Sequence, residues 1–191
     1  MSETIPLFPL HTVLFPGGVL RLRIFEPRYL EMVSRCTREA SEFGVALIVE
    51  GHEAGGFART VAVGTSARIV DFEQLEDGLL GITVRGARRF RILSTGRQSD
   101  GLQLGDVEWL AEEPAMPVPE RYAILAQLLR QALTQVGMSC EEPLITDASW
   151  VGMRLAEMLP LPPAQRQELL EMTDALARLK WLHGHLDIRS G

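Results

Sequence analysis

The chain has 191 residues, of which 46% are hydrophobic and 23% are charged, and its formal net charge at pH 7 is −6. This composition is that of an ordinary globular protein, long enough for one large domain or two small ones, and it excludes the disordered and fibrous classes. The acidic balance argues against a nucleic-acid binder that relies on bulk electrostatics, because such proteins displace phosphate counterions with clustered Lys and Arg.

The apolar runs are broken by proline, glycine or arginine before they reach the roughly 20 residues that a membrane helix needs. The N-terminal Met-Ser-Glu-Thr lacks the basic start of a secretion signal. Cys36 and Cys140 lie far apart without a CxxC spacing, which is typical of reduced thiols rather than of a zinc site. We therefore expect a cytoplasmic protein that does not bind membranes.

The first 110 residues or so carry the short-period apolar pattern of β-strands, which predicts strands at 4–8, 19–25, 43–50, 60–75, 78–94 and 102–110. Between the first two strands, Pro16-Gly17-Gly18 predicts a reversing turn. In such a turn proline presets φ at the second position and glycine takes a positive φ at the third. This half of the chain is thus predicted to be mostly β.

A helix is predicted to begin within the stretch FEPRY at 25–29, because Pro27 suits a first helical position, where the missing N–H costs nothing. It should extend to about residue 38 and cover an open side of the sheet. The helical period places Tyr29, Leu30 and Val33 on the buried face.

Two short segments near this helix are candidates for contact with a ligand. Glu26, Arg28 and Tyr29 could form a binding group, although a helix cap and a core-facing aromatic explain the same residues. The glycine-rich loop at 51–57, which ends in Phe57, could close over a bound peptide.

The segment ITVRGARRFRI at 82–92 predicts a hairpin that turns near Gly86, with inward positions at Ile82, Val84, Phe90 and Ile92. Its outer face would then carry Arg85, Arg89 and Arg91. These arginines have three interpretations. They pair with acidic residues of a neighbouring strand, contact another protein, or bind RNA through phosphate contacts and base stacking. Intramolecular pairing is favoured, and its acidic partners would be Asp71, Glu73, Glu76 and Asp77.

The pattern changes after residue 112, where Pro114, Pro117 and Pro119 mark a boundary. Beyond it the apolar period is helical. A first helix is predicted to end at Gly137, a second to include residues 150–159, a third to follow Pro163, and a last one to be capped by Thr173. We therefore predict two domains, at 1–113 and 114–191.

Motifs for catalysis or cofactor binding are not apparent in the sequence. It contains neither a G-x-x-x-x-G-K-[ST] loop nor a G-x-S-x-G elbow. His183 and His185 are two residues apart, so on a helix they would not share a face and would not form a metal site with Asp187. No cofactor, metal or catalytic residue is therefore predicted.

Four segments carry a family resemblance. They are PLFPLHTVLFPGGVLRLRIFEPRYLEMV from residue 6, FGVALI at 43–48, VGTSARIVDFEQLEDGLLGITVRGARRFRI at 63–92, and RLAEMLPLPPAQRQELLEMTDALARL at 154–179. Together they resemble the Lon N-terminal domain family, the substrate-recognition region of Lon proteases. That family also occurs as small standalone bacterial proteins and, more distantly, in cereblon.

The resemblance implies an α+β fold: a β-rich, PUA-like pseudobarrel with one covering helix, followed by a C-terminal helical bundle. It also implies a module that recognises unfolded or extended polypeptide segments and works with a protease or chaperone. The family's P-loop ATPase and Ser-Lys protease domains have no match in this chain, so we expect no enzyme activity. RNA binding through the segment from Arg85 to Arg91 is the alternative. The residues nominated for partner binding are Arg28, Tyr29, Phe57, Arg85, Arg89 and Arg91.

Overall fold

The structure is a computed structural model that describes residues 2–53, 58–137 and 142–186. The chain divides into two units, Met1–Glu112 and Glu113–Gly191. Within the described ranges, no helix combines the length and the apolar character that crossing a membrane would require. The fold is mixed α/β with a β-sheet core.

The first unit holds the strands and one helix: β1 (Ser2–Leu10), β2 (Val19–Ile24), α1 (Pro27–Glu39), β3 (Phe43–Gly51), β4 (Ala58–Thr60), β5 (Val63–Gln74), β6 (Leu80–Arg97) and β7 (Gln103–Trp109). Each predicted strand has a counterpart. The sequence predicts a single strand over 60–75, whereas the structure has the short β4 followed by the separate strand β5.

The sheet closes on itself. Its strand order is β1-β7-β6-β5-β3, and β1 also pairs with β3, so that five strands form a ring. The pairing between β1 and β3 is parallel and joins Leu7–Leu10 to Gly44–Leu47, whereas the other pairings in the ring are antiparallel. Two strands lie outside the ring: β4 pairs with β3, and β2 pairs with the first half of β6.

Apolar side chains pack on both faces of this ring. On the face covered by α1, a large cluster includes Phe8, Phe43 and Ile82 together with the buried residues of the helix. The opposite face encloses a small cluster of Ile5, Leu7, Phe90 and Val107. Because a helix covers the first face, the small cluster fills the interior of the ring. Adjacent residues of a strand point to opposite faces, which explains why Leu7 and Phe8 belong to different clusters.

The predicted turn at Pro16-Gly17-Gly18 is confirmed. The Gly18 amide donates to the Phe15 carbonyl at 2.8 Å, and Gly17 has a φ of 74°. The turn then docks on β6, where the Gly17 amide donates to the Gly86 carbonyl at 2.7 Å and the Gly86 amide donates to the Gly18 carbonyl at 2.8 Å. A Cβ at position 86 would collide with the Phe15 carbonyl, so this close approach requires glycine.

The predicted hairpin turn near Gly86 is wrong, because this glycine lies inside the continuous strand β6. The chain reverses earlier, between Leu75 and Leu79, where the Leu75 amide donates to the Leu79 carbonyl at 2.9 Å. Gly78 supplies the positive φ, 82°, that this turn needs. The glycine at position 86 serves close packing and not a reversal, and the sequence pattern alone does not separate these two uses.

A β-bulge in β6 changes which side chains point inward. Thr65 lies opposite Arg89, whereas Ala67 lies opposite Gly86, so β6 gains one extra residue relative to β5. Residues directly opposite one another share a face of the sheet. Arg89 therefore shares the face of Gly86, and Phe90 turns to the other face. The bulge overturns the predicted common inward face of Ile82, Val84, Phe90 and Ile92.

Helix α1 begins at Pro27 as predicted, and Glu26 is its N-cap residue. Its buried face contains Tyr29, Met32, Val33 and Cys36. The prediction is wrong for Leu30, which is exposed. Successive residues of a helix point about 100° apart. Leu30 therefore points away from the apolar face that Tyr29 and Met32 share.

The second unit is helical in the residues described. It contains a short 3-10 turn at Glu120–Tyr122 and the helices α2 (Ala123–Gln135), α3 (Glu142–Ile145), α4 (Ala148–Met158), α5 (Pro163–Glu171) and α6 (Ala175–His185). The buried apolar positions include Leu125, Leu129, Val151, Leu155, Leu179 and Leu182. The last helix is capped by Asp174, whose side chain accepts from the Leu176 amide at 2.8 Å, and not by Thr173.

Candidate functional site

A cleft of about 300 Å3 opens in the first unit where β1, β2 and the start of α1 meet. We call it the β1–β2 cleft. Its walls include Phe8, Leu22, Phe25, Glu26, Tyr29 and Glu53. The gap arises because β1 pairs with β7 only as far as Leu7, while among the described residues β2 pairs with β6 alone. Residues of both strands line the opening, and among the described residues the second edge of β2 has no paired strand.

Aromatic rings form the inner wall of the β1–β2 cleft. The rings of Phe8 and Tyr29 stack with their centroids 4.1 Å apart, and Phe8 also contacts Phe43 at 6.0 Å. Burial raises the pKa of the Tyr29 hydroxyl, an effect that the neighbouring Arg28 guanidinium opposes. Tyr29 therefore stays protonated at neutral pH and offers a hydrogen-bond donor, not a base.

The outer rim of the β1–β2 cleft combines one exposed aromatic with charged groups. Phe25 is 54% exposed although it is a large apolar residue. The Glu53 carboxylate accepts from the His11 backbone amide at 2.6 Å. Arg23, which also lines the cleft, forms an ion pair with Asp77. The rim therefore presents an apolar contact surface flanked by charges of both signs.

Arg28, a predicted site residue, does not line this cleft. Its Nη1 donates to the Gly101 carbonyl at 3.1 Å, and its Nη2 lies 2.9 Å from the Glu26 carboxylate. The guanidinium carbon also lies 4.8 Å from the centroid of the Tyr29 ring. Arg28 thus contacts two of the residues that line the cleft, Glu26 and Tyr29, without lining the cleft itself.

The three arginines nominated on β6 do not form one surface. Arg89 is only 5% exposed, so its predicted place on an outer face is wrong. Arg85 lies opposite Arg68, one position from the bulge, and faces away from Arg91, which lies opposite Val63. The β-bulge explains this division, since it changes the alternation of side chains between Gly86 and Arg89.

The acidic residues expected to pair with these arginines lie elsewhere. Asp71 and Glu73 are opposite Thr83 and Gly81, and Asp77 pairs with Arg23. Within the ladder, the residue opposite Arg91 on β7 is instead Glu108. The register of the sheet therefore does not support the predicted pairing.

Phe57, the remaining nominated residue, lies outside the described residues, as do its neighbours from position 54. The described residue next to this segment, Glu53, belongs to the β1–β2 cleft. The sequence pattern does not predict Phe8, Leu22 or Phe25 as site residues. Only Phe25 has a recognisable position in the sequence, directly before the start of a helix. A side chain at that position either packs on the first turn of the helix, as a hydrophobic staple, or stays exposed.

The described residues do not form an arrangement suited to a metal ion, since no three His, Cys, Asp or Glu side chains among them converge. His183 packs edge-on to Tyr122 with centroids 5.7 Å apart, whereas His185 stacks on Trp181 at 4.6 Å. Asp187 lies outside the described ranges. The side chains of the β1–β2 cleft can bind a ligand through apolar burial, hydrogen bonds and charge.

Comparison with known proteins identifies the fold and the family. The model of the substrate-binding domain of ATP-dependent protease La (Lon) matches residues 4–187. A crystal structure of a Lon N-terminal domain protein from Xanthomonas campestris is similar, with a TM-score of 0.82 and 40% identity over 95% of this chain and 98% of that one. The N-terminal domain of Lon protease from Mycobacterium avium complex has a TM-score of 0.70 and 18% identity, covering 98% and 100% of the two chains.

Full-length relatives match along most of this chain. A Lon protease of Anaeromyxobacter dehalogenans is 25% identical over 94% of this chain and 22% of its own length. Cereblon of Gallus gallus is 32% identical over 58% of this chain and 24% of its own length. The chain thus spans about a quarter or less of these relatives. The match of the family model along nearly the whole chain confirms the predicted resemblance, and this chain belongs to the family of the Lon substrate-binding domain.

Proposed function

We propose that this chain is a non-catalytic module that recognises polypeptides and holds an extended segment in the β1–β2 cleft. Family membership supports a role in substrate recognition. The observation that carries the proposal is the combination, in one opening, of stacked aromatic rings and an exposed Phe25 beside a strand edge. Such a site suits a chain that is apolar at one or two positions and has unpaired backbone groups.

Two sources of affinity are available in the cleft. Apolar side chains of the bound segment would lose contact with water against Phe8, Leu22 and Phe25, which contributes roughly 25 cal/mol per Å2 of buried apolar surface. Strand β2 pairs on one side only among the described residues, so its other edge can add backbone hydrogen bonds. A cleft of about 300 Å3 is at the small end of ligand sites, which fits one or two side chains.

The architecture that we infer for this role is a PUA-like pseudobarrel at residues 1–113, with α1 as its covering helix, followed by a helical bundle at 114–191. We further propose a cytoplasmic adaptor that presents unfolded segments to a protease or chaperone. The sites of Arg85, Arg89 and Arg91 do not favour the alternative of RNA binding, because two of these arginines face opposite ways and the third is buried.

The test is the binding of a fluorescent, reduced and carboxymethylated model protein, followed by anisotropy. We expect saturable binding, which Phe25→Ala weakens about tenfold, equivalent to about 1.4 kcal/mol. Leu93→Ala is the matched control, because Leu93 is a similarly exposed apolar residue, at 57%, that does not line the cleft. Equal effects of the two substitutions, or no saturable binding by the unchanged protein, would refute the proposal.

A further inference from the structure

A second cleft in the first unit, of about 510 Å3, borders the N-terminal half of β1 and the end of α1. We call it the β1-edge cleft. Its lining includes Glu3, Thr4, Arg35, Glu42, Arg88 and Trp109, and it shares no lining residue with the β1–β2 cleft. The proposed function does not use this site, and the following inference is independent of it.

The β1-edge cleft contains an unpaired strand edge. One side of β1 pairs with β7 along Ser2–Leu7, but the other side pairs with β3 only along Leu7–Leu10. Among the described residues, no strand therefore lies on that side of Ser2–Pro6. Because proline has no N–H to donate, Pro6 suits a ladder only where its nitrogen faces away from the neighbouring strand. The backbone groups of Thr4, two residues earlier, share this orientation and face the open side.

The charged side chains of the cleft differ in whether they already bind other groups of the protein. The Glu3 carboxylate accepts from the Trp109 indole N–H at 2.8 Å. The Glu42 carboxylate accepts from the Ser66 hydroxyl at 2.6 Å and from Arg68 at 2.9 Å. These two carboxylates are therefore already engaged by groups of the protein itself.

The arginines of the cleft are in a different situation. The Arg88 guanidinium carbon lies 3.9 Å from the centroid of the Trp109 ring. A guanidinium that contacts an aromatic ring through its flat face still has its N–H donors, which lie along its edge, available to a carboxylate. Within the described part of the chain, neither Arg35 nor Arg88 has a carboxylate at ion-pair distance. The cleft thus offers two guanidinium groups next to a free strand edge.

We propose that the β1-edge cleft binds an acidic, extended polypeptide segment that pairs with the backbone of Thr4 and places carboxylates against Arg35 and Arg88. A strand directs every second side chain to the same face, so the preferred segment has Asp or Glu at alternate positions. Pro6 ends the row of available donors, which limits the added ladder to a few residues. A polyanion such as RNA fits less well, because it has no row of backbone N–H and C=O groups that could pair with the free edge of β1.

The test compares two fluorescein-labelled peptides, one with the core Val-Asp-Val-Asp-Val and the other with the uncharged isosteric core Val-Asn-Val-Asn-Val. We expect the acidic peptide to bind at least about tenfold more tightly, because charge-assisted hydrogen bonds are about twice as strong as neutral ones. Arg88→Gln and Arg35→Gln should each weaken its binding about 5- to 10-fold. The matched control is Arg85→Gln, which removes the same charge from an exposed position on the same strand outside the cleft.

A second measurement tests the strand pairing itself. Hydrogen exchange at the Thr4 backbone amide, followed by NMR, should slow about tenfold or more when the acidic peptide saturates the protein, since a ladder hydrogen bond protects the amide. Phe25→Ala should leave this binding unchanged, which separates the two clefts. The proposal is overturned if Arg85→Gln weakens binding as much as Arg88→Gln, if the two peptides bind equally, or if Thr4 exchange is unaffected.

Discussion

The guanidinium of Arg178 and the carboxylate of Glu113 form a two-pronged ion pair inside the second unit, with N···O distances of 2.6 and 2.9 Å. Their side chains are 0% and 4% exposed. Two further donors of Arg178 are also used, since Nε donates to the Leu169 carbonyl at 2.9 Å and Nη2 to the Met172 carbonyl at 2.6 Å. This buried guanidinium, with four of its five N–H donors in hydrogen bonds, joins α5, α6 and the residue at which this unit begins.

Removal of the carboxylate should destabilise the second unit strongly. Glu113→Gln leaves the Arg178 charge buried without a counterion, and the expected loss in free energy of unfolding is about 3–5 kcal/mol. The control is Glu50→Gln, because Glu50 pairs with Arg59 at 3.2 Å on an exposed surface, where about 0–1 kcal/mol is expected. Urea unfolding measures both. Similar losses in the two variants would contradict the assigned role.

A methyl group at position 44 should disrupt the interior of the ring. A Cβ on Gly44 would lie 2.7 Å from Phe90 Cζ and 2.8 Å from Leu7 Cδ2. Gly44→Ala is therefore expected to cost about 1–3 kcal/mol through overpacking. Gly96→Ala, where a Cβ would have nothing within 4 Å, should be nearly neutral.

Because the obstruction at position 44 comes from side chains, a smaller neighbour should relieve it. Gly44→Ala combined with Phe90→Leu should lose less stability than the sum of the two single changes, and thermal or urea unfolding provides the comparison. Strict additivity would argue against a direct clash between the new methyl group and the ring of Phe90.

The carboxyl of Asp106 should titrate at an unusually acidic pH. The hydroxyls of Ser94 and Thr4 each donate to its carboxylate at 2.6 Å, and these bonds hold the pKa of Asp106 below its ordinary value of 3.8. A carboxyl whose pKa is lower in the folded state favours folding while it is ionised. This contribution is complete above about pH 4 and is lost as the pH falls through the folded-state pKa.

Carbon-detected NMR of the Asp106 carboxyl measures this titration directly. Ser94→Ala should move the pKa of Asp106 up towards 3.8, since the hydrogen bond from Ser94 is the largest cause of the shift. Ser34→Ala, an exposed serine on α1, should leave it unchanged. An unaltered pKa in the Ser94 variant would show that the hydroxyl does not stabilise the carboxylate.

Arg28 should matter for stability and not for direct contact with a peptide. Arg28→Lys retains the charge but cannot reach both the Gly101 carbonyl and Glu26 with a planar fork, so a loss of about 1–2 kcal/mol in unfolding free energy is expected. Binding of the unfolded model protein, measured where the variant is fully folded, should change less than twofold. A large loss of affinity at full folding would instead place Arg28 in contact with the bound segment.

The sequence predicts the elements of this fold better than their mutual orientation. Local signals identify the turn at Pro16 and the helix start at Pro27, since each depends on the φ preferences of one or two residues. The face to which a strand residue points depends on the register with a distant strand. The bulge between Gly86 and Arg89 is set by pairing with β5, and nothing within the segment itself reveals it.

The candidate sites show the same limitation. Tyr29 was identifiable because it belongs to a recognisable helix start, but Phe8 and Glu53 join it only through the folding of β1 and β3 around the ring. The alternating pattern of β6 predicts an exposed Arg89, but Arg89 is buried, and Arg88 is instead exposed next to Trp109 because of the bulge. A shift of one residue in a strand exchanges the buried and exposed members of such a pair.

The strand that closes the ring is also the first to be synthesised. Thr4 and its partner Asp106 are 102 positions apart, so β1 leaves the ribosome long before β7 exists, by roughly 5–20 s at ordinary rates of translation. During most of that interval β3 is already available to pair with Leu7–Leu10 of β1, but the edge of β1 that pairs with β7 along Ser2–Leu7 has no partner, and forming such a long-range contact is slow. The nascent first unit must therefore pass through an open sheet in which the edges of β1 and β6 that later pair with β7 are free. Any delay in the synthesis of β7 prolongs the period in which these edges can pair with another chain instead.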